Sequence, residues 1–436
     1  MNRDLNLNVD KTEIKLREKK LWNKNFFILW QGQLVSSLGD AIYEIALGFW
    51  VLMVTGSTAL MGTLMAVSMI PKIVISPFAG VLIDRSERKY IIVAMDLIRG
   101  IVITLVGIVT ILGYAKIWMI LLAGMIIGTC AAFFNPCMGS VLPDIVSQDK
   151  IVKANSSYQM TTTGSNLIGT VFGGMLYATL GAPIMFLING ISYLFSAFTE
   201  LFMKVPMIKK EHQNTNFKED FILGIKFSWN FKGLRNIIIL GCIINFFSQV
   251  GFILLMPMFN NDSNLGAAKY GIAMGMLLGG MMIGMVILSI INLKPQNKFK
   301  LFCSSGIVCM IALSSIPIAH NFYFICGAIF LGGIFLGGIF NSTLNTLLSS
   351  TTQIIVPQHM RGKILSLNNT VCMALSPLGM VLGGVLGGIF EIRKVMFFSF
   401  AATLMLIIIF CFMKSVKKVI NYDPGNSTFQ KIMQQL

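Results

Sequence analysis

The sequence predicts an all-α membrane protein with twelve transmembrane helices in two six-helix halves. Three observations carry that expectation. The composition is too apolar for a soluble chain of 436 residues, with 55% hydrophobic residues, 12% charged residues and a mean hydropathy of +0.76. Apolar segments of about 20 residues, the length that crosses a ~30 Å hydrocarbon core, recur along its length. Lysine and arginine gather in every second connection between those segments.

Taken in order, residues 1–24 are polar and mostly basic, with Lys11, Lys15, Arg17, Lys19, Lys20 and Lys24, and form an expected cytoplasmic N-terminal segment. They contain no apolar run of the kind a cleavable signal peptide carries. Spans are expected near 26–53, 58–82, 90–112, 117–141, 157–179 and 184–204 in the first half (25–205). In the second half (236–415) they fall near 236–258, 269–292, 300–318, 322–348, 364–389 and 394–413. The first, third, fifth and ninth connections are short and hold little charge beyond Lys116. The second, fourth, sixth, eighth and tenth hold Arg85, Arg88, Lys150, Lys153, Lys209, Lys210, Lys218, Lys294, Lys298, Arg361 and Lys363. The positive-inside rule then puts both termini, with the tail 416–436, in the cytoplasm of a multi-pass cell-membrane protein. Arg393-Lys394, in the last outer connection, is the exception, partly offset by Glu391.

The longest connection, 206–235, reads as a cytoplasmic linker between the halves. Within it Phe221, Ile225, Trp229 and Phe231 alternate with Lys226 and Lys232, which fits a helix lying on the membrane surface as well as a plain linker. Sliding the chain on itself by 210 positions superposes the halves. Gly169, Gly173 and Gly174 then meet Gly379, Gly383 and Gly384; Asn135 meets Asn345; Ile145-Val146 meets Ile355-Val356. Glycines four apart clear one stripe of a helix and let a neighbour approach closely, so these six are expected at helix contacts.

The net charge of +16 resembles that of a nucleic-acid binder, but the basic residues sit in short runs between spans, where they face anionic lipid. Membrane lipid is therefore an expected partner and nucleic acid is not. The eight cysteines fall in apolar segments without a C-x-x-C pair and are expected as free thiols. Phosphate-loop, nucleophile-elbow and zinc-protease motifs are missing, and the three histidines are too scattered to form a ligand set. No enzyme activity, cofactor or metal is expected.

Ionisable groups inside spans are costly and functional by default. Asp40 lies near the middle of the first span, and Glu44 is one turn further out on the same face. Two carboxyls so placed cannot both carry charge cheaply in a low dielectric. Glu44 has an alternative as an ordinary rim residue. Asp96 and Arg99, three apart in the third span, fit either a coupling role or a structural pair bracing helices. Lys72, in the second span, can snorkel to the inner surface.

Between the second and third spans stands Gly80-Val81-Leu82-Ile83-Asp84-Arg85-Ser86-Glu87-Arg88-Lys89, five charged residues within six positions. This resembles the cytoplasmic signature loop of the major facilitator superfamily, with Glu87 where the family often has glycine. Trp30-Gln31-Gly32-Gln33 with Gly39-Asp40, then Asp96-Leu97 and Arg361-Gly362-Lys363, are similar to its drug-export branch, which includes the macrolide-efflux proteins. Gly169-Thr170-Val171-Phe172-Gly173-Gly174 resembles an exporter motif with Thr170 in place of proline. One departure is that residues 117–143 carry no charge where many proton-driven exporters have an arginine; Arg99 is the candidate to replace it.

The resemblance implies a bacterial, monomeric secondary transporter that exchanges an amphipathic small molecule for protons by rocking its halves. It implies a gate at Gly80, Asp84, Arg85, Arg88 and Lys89. There Arg88 meets Asp144, and Asp84 meets the start of the eleventh span near Lys363 to Ser366. It also implies a cavity lined by spans one, four, seven and ten, with Gln33, Ser37, Asn135, Asn245, Phe246, Gln249 and Asn341 as candidates. Each of the polar ones fits an interhelical hydrogen bond equally well. An exporter of an endogenous metabolite such as a siderophore, and a non-transporting membrane sensor or scaffold, are the alternatives.

Overall fold

The computed structural model describes residues 21–205, 229, 232–291, 295–343, 370–413 and 416–417, and all regular structure among them is helical. The helices are α1 (Lys24–Thr55), α2 (Thr58–Arg85), α3 (Arg88–Ile111), α4 (Ile117–Ile145), α5 (Ile151–Glu200), α6 (Lys232–Phe252), α7 (Leu255–Asn261), α8 (Gly266–Ile290), α9 (Pro295–Ser315), α10 (Phe322–Gly333), α11 (Ser376–Ile389) and α12 (Ile392–Cys411). A π-helical stretch, Ile334–Asn341, continues α10. Among the described residues eleven stretches are long and apolar enough to cross a membrane. One of them, α5, comprises two helical arms, each a span, that meet at the non-helical residue Gly181 (φ 72°, ψ 167°). That left-handed conformation excludes most side chains, and it lets the chain reverse with no linker. Twelve spans result, as the hydropathy predicts. The part of the linker at 206–228, the segment 344–369 and the N-terminal residues 1–20 lie outside the described residues.

The chain divides into two compact units, Met1–Trp50 with Val67–His212 and Val51–Ala66 with Gln213–Leu436. In the first, Phe26, Ile83, Ile92, Phe134, Val141 and Met203 are buried together. Asn23 caps α1, its Oδ1 accepting from the amides of Asn25 (3.1 Å) and Phe26 (3.0 Å), while its Nδ2 donates to Ile145 O at the end of α4 (2.9 Å). The helix α3 lies along the second arm of α5 at close range. A methyl group on Gly100 would stand 2.8 Å from Leu194, and one on Gly190 would stand 2.6 Å from the Thr104 amide. This approach, made possible by missing side chains, brings the polar residues of the two helices together.

The second unit is built around Phe302, stacked on Phe340 with ring centroids 4.2 Å apart and packed against Phe410. Residues 51–66 pack within this unit, where Thr58 Oγ1 donates to Gly384 O (2.7 Å). The repeat is visible in the glycines. A methyl on Gly169 would come within 2.7 Å of Ala41 Cβ on α1, and one on Gly383 within 2.7 Å of Val250 O on α6. Gly379 is pressed against Phe246 O on α6 in the same way, and Gly174 is buried. Arg393 is drawn into the second unit by Asp262 (3.3 Å), Pro317 O (3.1 Å) and Ala319 O (2.5 Å).

Candidate functional site

A buried polar cluster inside the first unit is the chemically richest place among the described residues. It starts on α1, where Gln33, Ser37, Asp40 and Glu44 occupy one face; at 100° per residue they fall within about 60° of arc. Gln33 Nε2 donates to Ser37 Oγ (2.5 Å), and its Oε1 accepts from the Tyr158 hydroxyl of α5 (2.9 Å). Asp40 accepts from Tyr193 through both oxygens (2.6 and 2.7 Å) and from Asn189 Nδ2 (3.4 Å). Glu44 is exposed, and Lys72 of α2, also exposed, lies within electrostatic reach of both carboxylates.

Tyr193 joins this stripe to a second group. Its hydroxyl accepts from Arg99 Nη1 (3.1 Å), and Arg99 Nη2 pairs with Asp96 Oδ1 at 2.8 Å. The guanidinium is sandwiched by aromatic faces, 4.3 Å from the Phe134 centroid and 4.7 Å from that of Tyr193. Phe134 belongs to α4, so the cation of α3 stands against the helix that carries no charge of its own over 117–143. Ser196 Oγ adjoins Asp96 and donates to Glu200 Oε1 (3.3 Å). Asp96 is 0% exposed and Glu200 1% exposed, so both carboxyls are withdrawn from solvent.

The sequence-predicted residues separate accordingly. Asp40, Asp96, Arg99, Gln33 and Ser37 are brought together, while Glu44 stands at the edge. Tyr158, Asn189, Tyr193, Ser196 and Glu200 complete the cluster and were not singled out from sequence. Asn245 Nδ2 is used on Gly241 O (3.0 Å) and Cys372 O (3.3 Å), an interhelical bond between α6 and the chain entering α11. Phe246 packs edge-on to Phe247, and Gln249 Cβ lines the approach to Gly379. Asn135 and Asn341 are exposed. Arg88 pairs with Asp144 and also donates to Ser140 O (3.3 Å), and Lys89 lies over Tyr90. Gly80, Asp84 and Arg85 are in α2, but the Asp84 and Arg85 side chains and the whole of Lys363–Ser366 lie outside the described residues.

Apolar spans, with buried ionisable groups inside the first unit, define a polytopic membrane protein. The sequence profile of the Major Facilitator Superfamily matches residues 29–380, and the chain belongs to that family. It is 23% identical over 390 residues to macrolide efflux protein A of Streptococcus pyogenes, covering 84% of this chain and 89% of that one. It is 22% identical over 374 residues to the multidrug efflux pump Tap of Mycobacterium tuberculosis, covering 83% and 86%. In three dimensions it resembles the nucleoside transporter NupG (TM-score 0.68, 13% identity, 91% of this chain and 99% of that one). It also resembles an inward-facing bacterial homologue of the iron transporter ferroportin (TM-score 0.67, 15% identity, 89% and 98%).

Proposed function

We propose that the protein exports amphipathic small molecules of the drug or macrolide class across the cell membrane in exchange for protons, by alternating access. The observation that carries the reading is Asp40. Its carboxylate sits mid-span on a polar stripe of α1, held by two neutral donors and connected through Tyr193 to one arginine. A carboxyl in that setting can hold either a proton or a cationic group of a substrate. Competition between the two for one site is exchange by linkage. The similarity to named efflux proteins over more than four-fifths of the chain supports export as the direction. The expectations of a monomer and of cytoplasmic termini belong to the same reading.

The test is transport in proteoliposomes with an imposed pH gradient, using the antibiotics to which a deletion strain becomes sensitive. Asp40→Asn should abolish gradient-driven export while leaving insertion and expression intact. Full uphill, pH-dependent export by that variant would remove Asp40 as the proton carrier.

A further inference from the structure

Fully buried inside the first unit are two carboxyls, Asp96 and Glu200, beside a single guanidinium, Arg99, with the half-buried Asp40 on that guanidinium's other side. Arg99 can neutralise one negative charge. A second uncompensated carboxylate in a low-dielectric interior costs several kcal/mol or more, so the Asp96–Glu200 pair is one positive charge short, while Asp40 has its own donors and the field of Lys72. Asp96 Oδ2 and Glu200 Oε2 show the same deficit in geometry, because both are buried and neither has a hydrogen-bond donor among the described residues. Ser196 stands between the two carboxyls and supplies only one proton, toward Glu200 Oε1.

We propose that Asp96 and Glu200 act as a single acid that holds one proton between them, a second proton site joined to Asp40 through Arg99 and Tyr193. The site lies in the interior of the α3–α5 packing, off the polar stripe of α1. It lies against Gly32 of α1, where an added methyl would stand 2.7 Å from Ser196 Oγ and 3.6 Å from Glu200 Oε1. The charged and titratable groups facing it are Asp40 from α1, Arg99 from α3, Cys130 and Cys137 from α4, and Tyr158 and Tyr193 from α5. Of these Arg99 is the cation that can trade partners. Protonation of Asp40 changes the field at Arg99 through Tyr193, and with it the proton affinity of the Asp96–Glu200 pair. The inference rests on the proton-exchange reading for its role, though not for its existence.

Infrared difference spectroscopy of the purified full-length protein decides it without a substrate or a gradient. The wild type should show, at neutral pH, a protonated-carboxyl band that shifts in deuterium oxide. Asp96→Asn and Glu200→Gln should each remove that band completely, because either leaves one carboxylate matched by Arg99. Asp40→Asn should retain it, and Ser196→Ala, which keeps both carboxyls, should retain it at a shifted frequency. No such band in the wild type, or a band lost in only one of the two carboxyl variants, would overturn the shared proton. Failure of pH-driven export in proteoliposomes would instead overturn the exchange reading and leave the band assignment standing.

Discussion

The Tyr193 hydroxyl bridges Asp40, 2.6 Å away, and the Arg99 guanidinium, 3.1 Å away, so a single phenol connects the ionisable groups of α1 and α3. Only a donor–acceptor can do this, since the carboxylate accepts and the guanidinium donates. Tyr193→Phe keeps the ring under Arg99 and deletes both bonds. Hydrogen bonds to charged groups are worth about 1.5–3 kcal/mol each, so detergent-solubilised protein should unfold at a clearly lower temperature. The pH profile of transport should move as well, because Asp40 keeps only Asn189. An unchanged profile would mean the bridge is structural only.

Arg88 and Asp144 join α3 to the end of α4, with side chains 11% and 8% exposed. Removing one partner of so enclosed a pair leaves the other's charge uncompensated, at a cost of up to about 3–5 kcal/mol. Asp144→Asn alone should therefore reduce yield and thermal stability more than Asp144→Asn with Arg88→Gln. A double-mutant cycle on unfolding temperature checks this, and additive losses would deny the coupling.

Gly169 and Gly379 are tested by bulk. Leucine at Gly379 must displace Phe246 O, which is backbone and cannot move aside like a side-chain tip. Overpacking of this kind costs about 1–3 kcal/mol, and Gly379→Leu should exceed Gly139→Leu, where nothing lies within 4 Å. Equal stability of the two variants would show that the α6–α11 contact tolerates separation.

Much of this was legible in the sequence, for reasons that differ residue by residue. Spans are announced by hydropathy, and Asp40, Asp96 and Arg99 by being charged within them. Tyr193, Asn189 and Ser196 gave no such sign, because uncharged polar residues in a span commonly satisfy a neighbouring helix and nothing more. Glu200 ends its span, where a carboxylate ordinarily reaches water. It is buried because Gly100, Gly107 and Gly190 let α3 close on α5, a consequence of packing that periodicity does not reveal. The very short fifth connection expected between 179 and 184 is found at Gly181, where the backbone leaves the helix.

Arg393 and Lys394 are the basic residues that the orientation rule places on the wrong side; Lys394 pairs with Glu391 (3.0 Å), and the surroundings of Arg393 explain the rest of the exception. Its guanidinium is 19% exposed as a side chain and reaches Asp262, Pro317 O and Ala319 O, so one residue fastens the α7–α8 and α9–α10 connections to the start of α12. A charge used in this way is compensated within the protein and exerts little pull on topology. Lysine has one ammonium nitrogen where Arg393 uses two, Nη1 on the carbonyls and Nη2 on Asp262, so it cannot reproduce the fork. Arg393→Ala should lower stability by roughly 1.5–3 kcal/mol, Arg393→Lys should recover less than half of that, and neither should change orientation. Thermal unfolding measures the first two effects. Labelling of a cysteine introduced at exposed Asn321 with a membrane-impermeant thiol reagent measures the third. Loss of labelling from outside in Arg393→Ala would show that this arginine sets orientation after all.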